Sequence, residues 1–505
     1  MKRAWPADAA MPLYDKAATR RIEANAQLAL EPQALMQRAG LAVARLALAV
    51  APHARCIWVA AGPGNNGGDG FEAAAHLRHW GKQVEIGSLV EASKQPADAR
   101  RALQRAQIAG VAIHDGSEIR VAPDLVIDAL LGIGAGRAPQ GAIGDAIRHV
   151  NAAKCPVLAV DVPSGLNADT GNRLGDFGVV AEHTLSLLTL KPGLFTAAGR
   201  DHCGTVWLDS LGVPAGSEAP CAMLAGATEL GELTPRRQHA QHKGSFGDVA
   251  VVGGATGMSG AAWLAARAAL AAGAGRVYVD LLEPQAAAHD PLRPELMVRP
   301  GWALGDPGVL AASLVVCGCG GGEAIRAVLP ALLSHVPRLV IDADGLNAVA
   351  GDEQLQSLLR ARTGRGHVTV LTPHPLEAAR LLGLSAAQVQ ADRLGAARQL
   401  AAAFTCVVVL KGSGTVVAAT HRVPSINPTG NAALATAGTG DVLAGWLGGC
   451  WAQFDASARS EAAFDAARIS IFVHGQAADQ QPAGPLRASD LIEAMHRGHW
   501  ARGSA

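Results

Sequence analysis

Short apolar runs recur along the chain, separated by stretches whose apolar residues repeat at helical spacing. Cys56–Ala60, Val84–Ile86, Leu125–Ile127, Val157–Val160, Thr184–Leu190 and Thr205–Leu208 are β-branched or aliphatic runs that read as strands. The alanine-rich stretch up to Trp80 and Arg100–Ala109 read as helices between them. Ahead of the first strand, residues 1 to about 55 read as helical, polar over Asp15–Arg21. Over Ala34–Val50, Leu35, Ala39, Ala42, Val43 and Leu46 share one face. Strands alternating with helices predict a parallel sheet covered on both faces.

From residue 213 to about 240 the periodicity fades, and the boundary is expected there. A second series of the same kind begins at Asp248. Its strands are Val249–Val252, Val277–Leu281, Leu314–Cys317, Leu339–Ile341, Val368–Leu371 and Val407–Leu410. Its helices are Gly260–Ala272, one opening at Asp441, and one near Arg468–Ala478. The expectation is an α/β protein in three parts: a domain over 1–220, a linker over 221–239 and a second domain over 240–505. The halves do not align as repeats.

A chain of 505 residues is long for one domain, and 49% hydrophobic with 17% charged residues suits large cores rather than disorder. Lys+Arg and Asp+Glu are both 43, which leaves no basic footprint for nucleic acid or an anionic membrane. The 17 histidines show no metal-ligand spacing, and the eight cysteines include no C-x-x-C. No uncharged run is long enough to span a bilayer, and the basic start has no apolar core behind it. A cytoplasmic protein in a reducing compartment is expected, with no nucleic-acid or membrane partner.

Several strands end on a charged residue: Asp128, Asp161, Asp342 and Lys411. In an open parallel sheet such ends share the edge where ligands bind, although each alone also suits a turn. Gly62–Gly70 contains G-x-G-x-x-G between a strand and a helix, with Glu85 near the place of a ribose-binding acid, so a nicotinamide-dependent oxidoreductase is one reading. Asn65, Asn66 and Asp69 within it suit a hard cation or a ligand hydroxyl instead. At A-G-T-G-D, residues 437–441, a glycine turn opens a helix whose first N–H groups favour an anion. Asp441 beside such a site either caps the helix or takes a proton from a hydroxyl near a phosphate.

G-N-N-G-G-D-G at 64–70, D-A-L-L-G-I-G at 128–134 and D-V-P-S-G at 161–165 together resemble the epimerase domain of bifunctional NAD(P)H-hydrate repair enzymes. The resemblance spans about residues 10–210 and implies a Rossmann-like three-layer sandwich. It implies that Asn65, Asn66, Gly67, Gly68 and Asp69, with Gly132, Ile133, Gly134, Ala135, Gly136, Arg137 and Ala138, contact the hydrated dinucleotide. Asp161 would act at the nicotinamide end as contact and acid–base group. Asn66, Asp128 and Ser164 would contribute to a potassium site.

The second half is similar to the dehydratase domain of the same enzymes, a ribokinase-like three-layer α/β domain, over roughly residues 240–500. The motifs are G-x-x-G-M-S-G-A-A at 254–262, V-C-G-C-G-G-G at 316–322, D-A-D-G-L-N at 342–347, T-P-H-P-L-E at 372–377, K-G-S-G-T at 411–415 and A-G-T-G-D. By this resemblance Lys411, Gly412, Ser413, Gly414, Thr415 and Gly440 would hold ADP or ATP with Mg2+. Ala261, Gly320, His374 and Asp441 would meet the substrate, with Asp441 as base. The implied reaction is repair of NADHX and NADPHX. One half interconverts the R and S hydrates; the other dehydrates the S form with nucleotide, releasing AMP or ADP and phosphate. The family also suggests a homo-oligomer. Cys319 and Gly321 stand where its members usually carry proline and leucine, Leu376 replaces a glycine, and Asn431–Leu434 replaces N-P-G-M. The alternative is a ribokinase-like kinase for a small alcohol with a regulatory dinucleotide-binding half. A non-catalytic sensor is disfavoured by the presence of Asp441, Lys411, Asp161 and Asp128.

Overall fold

A computed structural model describes residues 1–6, 9–89, 91–234, 236–455, 459–482 and 484–500. Contacts divide the chain into two compact units, Met11–Met223 and Leu224–Ala505. Lys2–Arg3 belongs with the first.

The first unit's sheet runs Lys2–Arg3, Thr205–Asp209, His183–Leu187, Val157–Val160, Leu125–Ala129, Cys56–Ala61, Gln83–Ser88 and Ala112–Asp115. Every neighbouring pair is parallel except the first. The chain enters at Cys56–Ala61, builds outward to one side, then returns and builds to the other. The order therefore reverses between Cys56–Ala61 and Leu125–Ala129, and the two loops that follow these strands part to leave a crevice. Alternation along Cys56–Ala61 feeds two cores. Ile57 and Val59 pack with Val43, Leu46, Phe71 and Leu77 on one face. Trp58 and Ala60 pack with Ile147, Val150 and Val179 on the other. Burying both faces makes three layers.

The glycine-rich stretch is mostly helix: Asn65–His79 begins three residues after the strand ends. A Cβ on Gly62 would lie 1.9 Å from the Leu130 carbonyl oxygen, and one on Gly70 2.6 Å from Ala129 Cβ. These glycines let the helix press against the neighbouring strand end.

Two sequence expectations are corrected here. Residues 1–13 hold the strands Lys2–Arg3 and Met11–Leu13 rather than helix. Lys2–Arg3 pairs with Trp207–Leu208 and covers an otherwise open sheet edge. Helix starts only at Lys16, where the Asp15 carboxylate accepts from Ala18 N–H at 2.7 Å. The strand expected over Thr184–Leu190 stops at Leu187, because Leu188 turns to φ +63°.

The second unit's strands run Met297–Val298, Arg276–Leu281, Asp248–Gly253, Leu314–Cys317, Arg338–Ile341, Val368–Leu371, Val407–Leu410, Val416–Ala418 and Ser425–Ile426. They are parallel as far as Val407–Leu410 and antiparallel beyond it. Here the order reverses between Asp248–Gly253 and Leu314–Cys317. Within 221–239, where no period shows in the sequence, the structure has a strand Ala222–Leu224 and a helix Ala227–Leu233. That helix buries only Leu230, too little to leave an apolar stripe.

The helix Thr439–Trp451 is buried almost all round and packs on Ser259–Ala271. Glycines set the distance: a Cβ on Gly445 would lie 2.0 Å from the Ala265 carbonyl oxygen, and one on Gly449 2.2 Å from that of Ala269. Among the described residues no helix is long and apolar enough to cross a membrane, and all eight cysteines are free.

Gly445→Ala should force these helices apart and lower stability by about 1–3 kcal/mol. Thermal unfolding read by circular dichroism measures it; a melting temperature equal to the wild type's would refute the close approach.

Candidate functional site

A cavity of about 860 Å³ lies at the reversal point of the first sheet, within the size range of small-molecule sites. The helix start (Pro63–Asn66 and Asp69), the turn Leu130–Gln140, the strand end Asp161, and Leu187, Leu188 and Lys191 form its walls. The helix Lys16–Ala29 adds Thr19, Arg20 and Glu23. Asn65, Asn66, Asp69, Asp161 and all of Gly132–Ala138 thus share one cavity, as the motifs led us to expect. Gly67 and Gly68 do not line it. A Cβ on Gly67 would meet the Gly62 carbonyl at 2.1 Å, and one on Gly68 would lie 2.9 Å from Ala99 Cα, so both are packing positions. Glu85 sits inside the strand Gln83–Ser88, 3.9 Å from His114, and does not line the cavity. The oxidoreductase reading loses its ribose acid.

Asp161 leaves its strand with φ +69°. Its Oδ1 accepts from Lys191 Nζ and, at 3.3 Å, from Leu187 N–H, and its Oδ2 from Ile133 N–H at 3.4 Å. Lys191 is fully buried and also donates to the Leu187 carbonyl at 2.8 Å and Ser186 Oγ at 3.2 Å. Sequence reasoning passed over Lys191; a lysine closing the apolar run Thr184–Leu190 was the signal available. Two more acids surround the pair. Burial, then the charges of Asp161, Glu23 and Glu72, push the Asp69 carboxyl well above its ordinary range. Burial and Asp161 also raise Glu23, against Lys191 and Arg20.

Asp128 and Ser164 lie behind the cavity wall. Ser164 Oγ donates to Asp128 Oδ1 at 2.6 Å and Ser164 N–H to Oδ2 at 2.8 Å, while Leu130 N–H reaches Oδ1 at 3.2 Å. Burial raises Asp128 to about 6 despite these donors. Among the described residues, the buried Nδ2 of Asn66 has no hydrogen-bond partner.

In the second unit five residues from four elements converge. Asp342 ends the strand Arg338–Ile341, and its Oδ1 accepts from Lys411 Nζ at 2.7 Å. A Cβ on Gly440 would lie 3.4 Å from Lys411 Nζ and 4.0 Å from Asp342 Oδ2. Cys319 Sγ and oxygens of Asp342 and Asp441 lie within 4.8 Å of one another. Burial, then Asp342, raises Asp441 to about 6, against Cys319 and Lys411. Burial opposes the Lys411 charge, but Asp342 and Glu377 outweigh it and raise the ammonium above its ordinary value. Gly438 takes φ +88° to start the helix that presents Asp441 in its first turn.

Ala261 and Gly320 meet beside Met258: a Cβ on Gly320 would be 2.9 Å from Ala261 Cβ and 2.5 Å from the Met258 carbonyl oxygen. His374 is an N-cap. Its Nδ1 accepts from Leu376 N–H at 3.1 Å and Glu377 N–H at 3.4 Å, which leaves Nε2 protonated, 3.2 Å from Glu377 Oε1. Burial and then Lys411 lower its pKa, keeping the ring neutral. Sequence analysis marked Asp342 only as a strand end and did not single out Glu377, which burial raises to about 7. Gly412 and Gly414 of the 411–415 turn have φ +132° and +63°, and Thr415 Oγ1 donates to the Gly412 carbonyl at 3.0 Å.

Both units are three-layer α/β structures with a buried carboxylate–lysine pair at a strand end, the build of a two-site enzyme. The family described as NAD(P)H-hydrate dehydratase matches residues 249–497, and that described as YjeF-related protein N-terminus matches residues 32–193. The bifunctional NAD(P)H-hydrate repair enzyme Nnr of Escherichia coli (strain K12) is 37% identical over 94% of this chain and 91% of its own. The bifunctional NAD(P)H-hydrate repair enzyme of Leishmania braziliensis is 37% identical over 93% and 90%. The Bacillus subtilis ADP/ATP-dependent NAD(P)H-hydrate dehydratase, co-crystallised with ATP/Mg2+, superposes with a TM-score of 0.44 at 26% identity, covering 55% of this chain and 96% of its own. The chain belongs to the family of bifunctional NAD(P)H-hydrate repair enzymes.

Lys191→Met leaves the Asp161 carboxylate buried without its cation and should cost about 3–5 kcal/mol. Adding Asp161→Asn should recover part of the loss. Thermal unfolding of both variants checks this; equal melting of single and double variants would show that the pair is not coupled.

Proposed function

We propose that the first unit interconverts the R and S hydrates of NADH and NADPH and that the second dehydrates the S form with ADP or ATP. The convergence of Asp441, Asp342 and Lys411 at a glycine-started helix carries this reading. The Lys411 cation, paired with the buried Asp342, and the N–H groups of the helix start favour a phosphoryl group, while Asp441 lies where a hydroxyl next to that group would lose its proton. The chemistry needs such a site because hydroxide leaves a ring carbon poorly and phosphate leaves well. The hydrate oxygen attacks the terminal phosphorus, its proton passes to Asp441, and AMP or ADP departs. Loss of phosphate, with a ring proton, then restores the nicotinamide double bond.

The turn Lys411–Thr415 holds the nucleotide phosphates and Gly440 the transferring group, with Ala261, Gly320 and His374 on the hydrate. His374 spends Nδ1 on its helix and turns its protonated Nε2 to Glu377, so a substrate group would have to share or displace that carboxylate. Magnesium is not given a protein cage here. Asp342 is already paired to Lys411, and the third group beside Asp441 is a thiol, a poor ligand for a hard ion.

In the first unit Asp161, paired with Lys191, serves as the base, and Asp69, whose pKa burial raises, serves as its acid partner. Asn65 and Gly132–Ala138 hold the dinucleotide. Asn66, Asp128 and Ser164 supply the oxygen donors potassium prefers, and a half-turn of the Asn66 amide would put its oxygen where Nδ2 now lies. The small-alcohol kinase alternative explains the second unit alone, whereas the family match runs through both.

Asp441→Asn should cut nucleotide-dependent recovery of reduced-nicotinamide absorbance roughly 10²–10⁴-fold while R/S exchange continues. Asp161→Asn should do the reverse. Chiral chromatography of hydrated NADH, with and without nucleotide, reads both; joint loss of both activities in either variant contradicts two independent sites. A base with a pKa of about 6 is ionised above that pH, so the dehydration rate should fall as pH drops through about 6 and level off above it. A profile flat down to pH about 4.5 would exclude Asp441 as that base.

A further inference from the structure

Behind the Lys411–Thr415 turn lies a guanidinium that neither unit's chemistry uses. Arg393 opens the helix Arg393–Phe404 and is only 3% exposed. Its Nη2 donates to the Lys411 carbonyl at 3.1 Å, the Leu410 carbonyl at 3.2 Å and the Gly414 carbonyl at 3.5 Å, and its Nη1 to Gln390 Oε1 at 2.7 Å. Three carbonyls of one short turn thus converge on one buried cation. The turn also presses flat onto it: a Cβ on Gly412 would lie 2.8 Å from Nη1 and 3.0 Å from Nη2. At φ +132° only glycine fits this close approach.

In a trans peptide the C=O and N–H point in opposite directions. Turning the Lys411 and Gly414 carbonyls onto Arg393 therefore turns the Gly412 and Thr415 N–H groups away from it. The negative ends of these peptide dipoles are consumed inside, and the positive ends face the other side of the turn, where they form an anion-binding concavity. The cation adds its own charge from below. A lysine could not replace this contact, because a single ammonium lacks the planar fork that reaches several carbonyls at once.

We propose that Arg393 is a positioning residue for the nucleotide: it touches no substrate, and it holds the 411–415 turn in the conformation that receives phosphates. This rests on the reading of that turn as the nucleotide site, and the experiment separates the two.

Steady-state dehydration of S-NADHX is measured with ADP and with ATP varied, for wild type, Arg393→Lys and Arg393→Met. Mg·ADP binding by calorimetry and thermal unfolding accompany it. The expected result is a nucleotide KM and Kd raised about tenfold or more in Arg393→Met, and less in Arg393→Lys, with the KM for S-NADHX within about twofold of wild type. Gly412→Ala, which keeps Arg393 but pushes the turn off it, should raise the nucleotide KM in the same selective way. Unchanged nucleotide KM in Arg393→Met, or a rise in both KM values together with a fall in melting temperature, overturns the inference. A wild-type enzyme that dehydrates without nucleotide overturns the functional reading itself, and the role of Arg393 with it.

Discussion

An ammonium buried against a strand-end carboxylate is the interaction on which each unit turns. Lys191 is fully buried against Asp161, and Lys411 is partly buried against a buried Asp342, so water screens both pairs poorly. Either charge alone would be costly there, so each pair stands or falls together. A parallel sheet is what makes the arrangement possible. Its strands end along one edge, and the reversal of strand order opens that edge to a ligand while its sides stay packed. The pairing also sets the neighbours. The carboxylate of each pair opposes the ionisation of the next acid beside it. Asp69 and Glu23 rise beside Asp161, and Asp441 and Glu377 rise where Asp342 adds to their burial. One fixed charge and one displaced pKa are the ingredients of acid–base chemistry near neutral pH.

Glycine provides the second constraint, and its reasons differ from place to place. Gly62 and Gly67 look in the sequence like part of a phosphate fingerprint, and Gly70 follows them. In the structure they remove Cβ atoms that would collide with the Leu130 carbonyl, the Gly62 carbonyl and Ala129. Gly445 and Gly449 do the same between two helices of the second unit. Gly412 and Gly438 are different: positive φ values let them aim a turn or start a helix. The same residue type therefore serves packing in one motif and direction in another, and spacing alone does not tell them apart.

Much of the fold was legible because both faces of each sheet are buried. Runs such as Val157–Val160, Leu314–Cys317, Val368–Leu371 and Val407–Leu410 stand out and are strands with the bounds read from sequence. What escaped was short structure, Lys2–Arg3, Ser425–Ile426 and the helix Ala227–Leu233, where too few residues lie in the element, or too few of them are buried, for a period to develop. The sites divide in the same way. Residues joined by motifs, Asn65, Asn66 and Asp69 at a helix start and Gly132–Ala138 in a turn, meet in one cavity. Glu23 and Arg393 were not legible, since each meets the site from a distant element, and Lys191 was marked only by its place at the end of an apolar run.

Cys319 shows how a departure from the family pattern can leave the site's logic intact. Its backbone does what that turn requires: the carbonyl accepts from Gly254 N–H at 3.0 Å, and a Cβ on Gly253 would meet it at 2.3 Å. The proline usual at this place could supply that same carbonyl, because only the N–H is lost in proline. The new element is the side chain. Burial, reinforced by the charges of Asp441 and Asp342, pushes the Cys319 thiol far above its ordinary range, so it stays S–H and donates to the Asp441 carboxylate. That bond favours the ionised acid and works against the burial and the Asp342 charge that raise it. The substitution thus keeps the loop and adds a donor to the Asp441 carboxylate. Its consequence falls on the pH at which Asp441 ionises.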